Sequence, residues 1–146
     1  MTFSLARFPL SSLVMWCLLL AVSAVVSAQQ PGSRGKALVV GNVAYHVGGV
    51  PNASNDAKGV AQALKDLGFE VEFESNLSLP QFTSAVQKFG DAARNDGTIA
   101  LFYFSGHGIQ LNGENYLVPI DVESLAAADV STKTLPLQTV FNALGL

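Results

Sequence analysis

LFYFSGHG, residues 101–108, is the stretch from which the fold is read. Ile99, Leu101, Phe102, Tyr103 and Phe104 all favour strands, and they follow Asn95, Asp96 and Gly97, so the chain leaves a turn and runs straight into a buried strand. The apolar run then stops at Ser105, Gly106, His107 and Gly108. Glycines on either side of a histidine let the backbone turn sharply and approach a ligand closely, and imidazole is the side chain that exchanges protons nearest neutral pH. A satisfied histidine in a glycine turn would carry the same letters. Position separates the two readings: a polar, glycine-rich break at the carboxyl end of a buried strand is where open α/β sheets gather ligands and chemistry.

Upstream, Lys36 to Val40, closed by Gly41 and Asn42, reads as a first buried strand, and Val43 to Pro51 with Gly48 and Gly49 as a loop. Helix signals begin at Asn52 to Asp56: Asn52 and Ser54 are cap-type residues and Asp56 is an acid for the first turn. Val60, Ala63, Leu64 and Leu67 recur at helical spacing, and Gly68 supplies the stop. Val71 and Phe73 alternate with Glu70, Glu72 and Glu74, a half-exposed strand near a sheet edge. Ser78 and Gln81 have capping-box spacing, Pro80 suits a first helical turn, and Phe82, Val86, Phe89 and Ala93 give that helix one apolar face.

Downstream, Ile109 to Leu111 and Tyr116 to Val118 flank Asn112 and Gly113, a hairpin signal. Asp121 to Ser131 reads as loop, and Thr134 to Leu144 as a third helix with Thr134 as cap and Pro136 in its first turn. Strands alternating with helices predict an α/β domain with a mainly parallel sheet flanked by helices and joined by right-handed crossovers. A helix after the hairpin ought to feed a further strand, so the sheet reads as incomplete at its C-terminal end.

With 146 residues, 49% of them apolar and 13% charged, the chain supports one globular domain. Arg7 precedes an uncharged run from Phe8 to Val26 that ends Val26, Ser27, Ala28, the pattern of a secretory signal over residues 1–28 with cleavage after Ala28. The alternative is an uncleaved membrane anchor, because Leu10 to Ala28 is 19 residues and a span takes roughly 17–25. Residues 29–35 then form a linker and residues 36–146 the domain, which is expected to be exported, periplasmic or secreted. The single cysteine, Cys17, lies inside the signal, so the mature chain holds no thiol for a disulfide, a thiolate metal site or a nucleophile. Seven basic residues against eleven acids leave the mature chain at minus four without a basic cluster, which argues against nucleic acid as a partner. No dinucleotide fingerprint or phosphate-binding lysine loop occurs, so no cofactor is expected, and His46 with His107 lacks a third ligand for a metal. Tyr45, Tyr103 and Tyr116 read as core or rim residues.

Four motifs in order, KALVVGN at 36–42, PNASNDA at 51–57, LFYFSGHG at 101–108 and GENYLVPID at 113–121, resemble the caspase/metacaspase superfamily, in particular its bacterial caspase-like members. The resemblance spans Lys36 to Leu146. It implies a caspase-hemoglobinase fold, a six-stranded sheet flanked by helices, and an endopeptidase that cleaves a peptide or protein substrate with a cysteine/histidine dyad. By the same resemblance His107 is the dyad histidine, which assists the thiolate and protonates the leaving amine, and Gly108 offers its backbone N–H to the oxyanion. Asp56 falls where metacaspase-type members place an acidic S1 residue, which implies cleavage after Arg or Lys. An acid favouring a helix N-terminus accounts for Asp56 as well, and both roles can hold at once.

The chain departs from that pattern in one respect. Caspases place the nucleophilic cysteine roughly 50 residues after the histidine, whereas 39 residues follow His107. The reading is therefore the front part of a caspase-like cysteine endopeptidase, truncated before its cysteine. The alternatives are a noncatalytic pseudoprotease that binds peptides and half of a split enzyme completed by a C-terminal fragment. Ser105 is a poor substitute nucleophile, two residues from His107 with nothing to orient the pair. No carboxylate cluster locates a calcium site.

Overall fold

The computed structural model describes residues 33–46, 48–94, 99–124 and 126–146. The signal or anchor at 1–28, Cys17, most of the 29–35 linker and the Asn95 to Gly97 turn lie outside the described residues. Among the described residues no helix is long and apolar enough to cross a membrane.

The sequence GKALVVG forms β1, Gly35–Gly41, and everything else is laid on it. It pairs in parallel with β2, Phe69–Ser75, on one side and with β3, Ile99–Ser105, on the other, giving the order β2-β1-β3. Helix α1, Ala53–Asp66, connects β1 to β2, and α2, Leu79–Ala93, connects β2 to β3. The chain reverses its direction across the sheet between these two crossovers, so a constant right hand puts the two helices on opposite faces. The burial follows: Leu38 and Val40 face Phe82, Val86 and Phe89 of α2, while Ala37 and Val39 face Ala57, Ala61 and Leu64 of α1. Register carries the alternation into β3, where Phe102 and Phe104 oppose Leu38 and Val40 and join the α2 face. Phe82, fully buried, lies 5.4 Å from the Phe104 ring, stacked. Burying a side chain of that kind contributes about 1.5–3 kcal/mol.

After β3 comes the hairpin of β4, Gly108–Leu111, and β5, Glu114–Leu117. Asn112 and Gly113 have φ of 53° and 84°, the paired left-handed conformations of the turn that matches strand twist. A 3-10 turn at Ala127–Asp129 and a short helix α3, Val130–Lys133, lead to the two-residue β6, Leu135–Pro136, which pairs with β5. Helix α4, Leu137–Leu144, then packs beside α2 on the Phe82 face.

The α/β class, the parallel sheet and the edge position of β2 agree with the sequence reading. Four expectations change. β3, expected to be a buried strand, has no fully buried residue and Ile99 is 58% exposed, because among the described residues it pairs with β1 alone while β1 lies between two strands; an apolar run signals helix cover as readily as strand neighbours. The buried stripe of α1 is Ala53, Ala57, Ala61 and Leu64; of the expected face only Leu64 is buried, with Val60 partly so, and neither Asn52 nor Ser54 caps the helix by a side-chain bond. Small alanines let α1 lie close on β1, where a Cβ added to Gly41 would sit 2.8 Å from that of Ala57. The 121–131 segment contains helical turns instead of loop alone. Thr134 ends α3 instead of opening the last helix, because Leu135, extended as residues before proline prefer to be, is buried in a pairing with Leu117.

Helices α2 and α4 meet at Gly90, where a Cβ would stand 2.3 Å from the Ala143 carbonyl oxygen. Gly90→Val is therefore expected to lower the free energy of unfolding by about 1–3 kcal/mol. Urea denaturation checks it, with a lower midpoint at unchanged slope.

Candidate functional site

Strand order reverses between β1 and β3, so their carboxyl ends open a crevice where two departing loops diverge, the usual ligand position of such sheets. Asn42 closes the bottom of that crevice. It is fully buried, and a buried amide must find partners or cost stability. Its backbone N–H donates to the Ser105 carbonyl at 2.9 Å, its Nδ2 to the Val118 carbonyl at 3.4 Å, and its Oδ1 accepts from the Leu77 N–H at 2.9 Å. One residue thus ties the end of β1 to β3 through its backbone, and to the entry of α2 and the exit of β5 through its side chain. Asn76, at φ 53°, accepts from the N–H groups of Val43 and Ala44, each at 3.0 Å, and so directs the loop after β1. Asp121 accepts the Leu79 N–H at 3.0 Å and covers the start of α2 beside the Ser78–Gln81 pair, in which Gln81 Oε1 accepts the Ser78 N–H at 3.0 Å.

His107 stands half-buried just past β3. Its Nε2 meets the carbonyl oxygen of Gly48, from the loop after β1. A carbonyl only accepts, so in the neutral ring the proton belongs on Nε2, and among the described residues no hydrogen bond is made at Nδ1. The Tyr45 ring lies 4.4 Å from the imidazole at an interplanar angle of 50°. Its hydroxyl accepts the His107 N–H at 2.9 Å and donates to the Val118 carbonyl at 3.0 Å. Burial pushes the Tyr45 phenol above its usual pKa, against the opposing effect of its hydrogen bonds with the His107 backbone and Asn42. Gly106 is close-packed here: a Cβ would stand 2.5 Å from the Tyr45 hydroxyl and 2.6 Å from the Phe104 ring, and those side chains would have to shift.

A groove of about 500 Å³ opens beside the imidazole, lined by Tyr45, Gly108, Ile109, Val118, Val122 and Glu123. His107 and Gly108, paired by the sequence reading, are brought together in this groove. Asp56 lies at the same end of the sheet, exposed in the first turn of α1, where its N–H donates to the Asn52 carbonyl at 3.0 Å; it does not line the groove. Ser105 accepts from Asn42 through its carbonyl, and among the described residues no hydrogen bond joins its hydroxyl to His107. His46 is exposed, and among the described residues no group of three His, Cys, Asp or Glu stands ready to hold a metal.

Sequence reasoning missed Asn42, Tyr45, Gly48, Asn76 and Asp121. The available signal for Asn42 was a lone amide at the exit of a wholly apolar strand, which cannot be buried without partners. Nothing local marked Tyr45, whose bonds to the His107 N–H and the Val118 carbonyl reach more than 60 residues along the chain.

A family model described as the caspase domain matches residues 34–144. No curated protein matches the chain.

Asn42→Leu keeps the volume and removes the amide, orphaning the Leu77 N–H and weakening the hold on Val118. A cost of about 1–3 kcal/mol per orphaned group is expected. Hydrogen exchange checks it, with the Leu77 amide accelerated more than that of Leu38.

Proposed function

The chain belongs to the caspase-domain family, and from that premise we propose that it forms the histidine-bearing part of a caspase-like cysteine-type endopeptidase, with a preference for Arg or Lys on the acyl side of the bond it cleaves. The observation that carries this reading is the contact of His107 Nε2 with the Gly48 carbonyl, which turns Nδ1 toward catalysis, in the same groove as Gly108. Nδ1 takes the proton of a thiol, and the sulfur attacks the substrate carbonyl. The oxyanion is received by the Gly108 N–H, and the proton on Nδ1 passes to the leaving amine as the C–N bond breaks. Water repeats the cycle on the thioester and frees the acid product and the thiol.

The thiol is the part this reading must find elsewhere, since Cys17 is the single cysteine and precedes the domain. In this proposal it comes from polypeptide outside residues 1–146, either continuous with the chain or as a separate complementing fragment. Asp56 supplies the acidic contact for a basic side chain, supported by its place at the His107 end of the sheet. Residues 1–28 act as the export signal or anchor, putting the domain in the periplasm or outside the cell. A second reading, favoured by the lack of any thiol in residues 29–146, is a pseudoprotease that binds basic peptides without cleaving them.

With the cysteine-bearing remainder present, His107→Ala is expected to lower kcat/KM on Arg-containing peptides by about 10²–10⁴-fold or more. Retained turnover rules out the dyad role. Asp56→Ala is expected to reduce discrimination between Arg and a neutral residue by about tenfold to a hundredfold, with little change in Tm; an equal loss on both substrates removes Asp56 from specificity. Without the remainder, the pseudoprotease reading expects Arg-ended peptides to bind this chain and remain intact.

A further inference from the structure

In an antiparallel ladder, opposed residues alternate between pairs that exchange two hydrogen bonds and pairs that exchange none. The β4–β5 hairpin closes at Leu111 opposite Glu114, so Ile109/Tyr116 and then His107/Val118 fall at the bonded positions, with Gly108/Leu117 between them. At His107/Val118 half of the exchange is present, the Val118 N–H donating to the His107 carbonyl at 2.9 Å. The other half is replaced. The Tyr45 hydroxyl stands between the His107 N–H and the Val118 carbonyl, accepting from one at 2.9 Å and donating to the other at 3.0 Å.

We propose that Tyr45 is a positioning residue: its hydroxyl wedges the ladder open at His107 and so sets the peptide plane that aims both the imidazole and the Gly108 N–H. Three observations support the role. The ring of the same residue lies against the imidazole, so one side chain constrains His107 from its backbone and from its face. Gly108 falls at the non-bonded step, which turns its N–H away from β5 and off the outer edge of β4; any rotation of the preceding peptide moves that donor too. Gly106 leaves the wedge no slack, since a side chain there would collide with the phenol oxygen. Only a neutral phenol can accept and donate at once, and the burial that raises its pKa keeps it in that state. A residue that merely filled space would need neither bond.

The inference rests on reading His107 as the proton-transfer group, and its test needs no turnover. In the full chain, labelled with nitrogen-15, the imidazole nitrogens of His107 are expected to show the single Nε2–H tautomer. Tyr45→Phe keeps the ring and lets the His107 N–H bond directly to Val118. It is expected to convert that pattern to a mixture of tautomers and to move the Gly108 amide signal. Replacing Tyr45 by a ring-fluorinated tyrosine, which ionises at lower pH, tests the same point if the Phe variant does not fold. The tautomer signal must then change in step with phenolate absorbance, over a pH range where the unmodified chain does not change in the same way. The proposal is overturned if Tyr45→Phe lowers Tm while His107 and Gly108 signals stay as they were, or if the fluorinated phenol ionises with no response at the imidazole. Should the imidazole respond while peptide cleavage proves independent of His107, the endopeptidase reading fails and the wedge stands.

Discussion

A polar side chain sealed at the end of an apolar strand is the constraint on which this molecule depends. Leu38, Val39 and Val40 are without solvent exposure, and Asn42 follows them into the same dry region. Its amide has no water to turn to, so the Leu77 N–H and the Val118 carbonyl must be delivered to it. Those two groups belong to the loop before α2 and the segment after β5, which lie far apart in the chain. Satisfying one amide therefore requires that the sheet, the α2 entry and the hairpin exit be assembled together. Among the described residues no buried side-chain polar atom is left without a partner, which is what such a junction needs.

The same requirement explains what could be read in advance. β1, β2, the hairpin and the apolar face of α2 were legible because each is a local pattern: a β-branched run, an alternation of Glu with Val and Phe, an Asn-Gly turn, and apolar residues at helical spacing. His107 and Gly108 were legible for the same reason, as a polar break at a strand end. The contacts that orient them from the loop after β1 were not, because Gly48 and Tyr45 approach His107 only after two crossovers have brought β1 beside β3. The expected burial of β3 failed on physics of the same sort. Leu101 to Phe104 are covered by helices and by one strand, and apolar content does not say which kind of neighbour supplies the cover.

The α1 stripe makes a related point about size. Leu67 looked like core by periodicity and is 55% exposed, while Ala57 and Ala61 are buried. Periodicity finds a face, but the distance between helix and sheet decides which residues can occupy it. Here the first turn of α1 comes down onto Gly41, and larger side chains would hold it off. That close approach brings Asp56 to the carboxyl end of the sheet, so packing by alanine and the position of an acid near the crevice are one fact and not two.

Among the described residues the groups that hydrogen-bond to His107 are neutral: a backbone carbonyl at Nε2, a phenol at the N–H and the Val118 N–H at its own carbonyl. A carboxylate in the first of these places would both orient the ring and stabilise its charged form, whereas a carbonyl dipole mainly orients. The imidazole is then fixed without a buried charge having to be desolvated at the junction, where Asn42 already needs every available partner. Geometry is held by backbone groups whose positions are set by β-pairing, and the adjustable element is the Tyr45 hydroxyl inserted into that pairing. Orientation of the His107 imidazole and stability of the sheet end thus share bonds at Val118, so substitutions that disturb one without the other have to act at Tyr45 or Gly48 and not at Asn42.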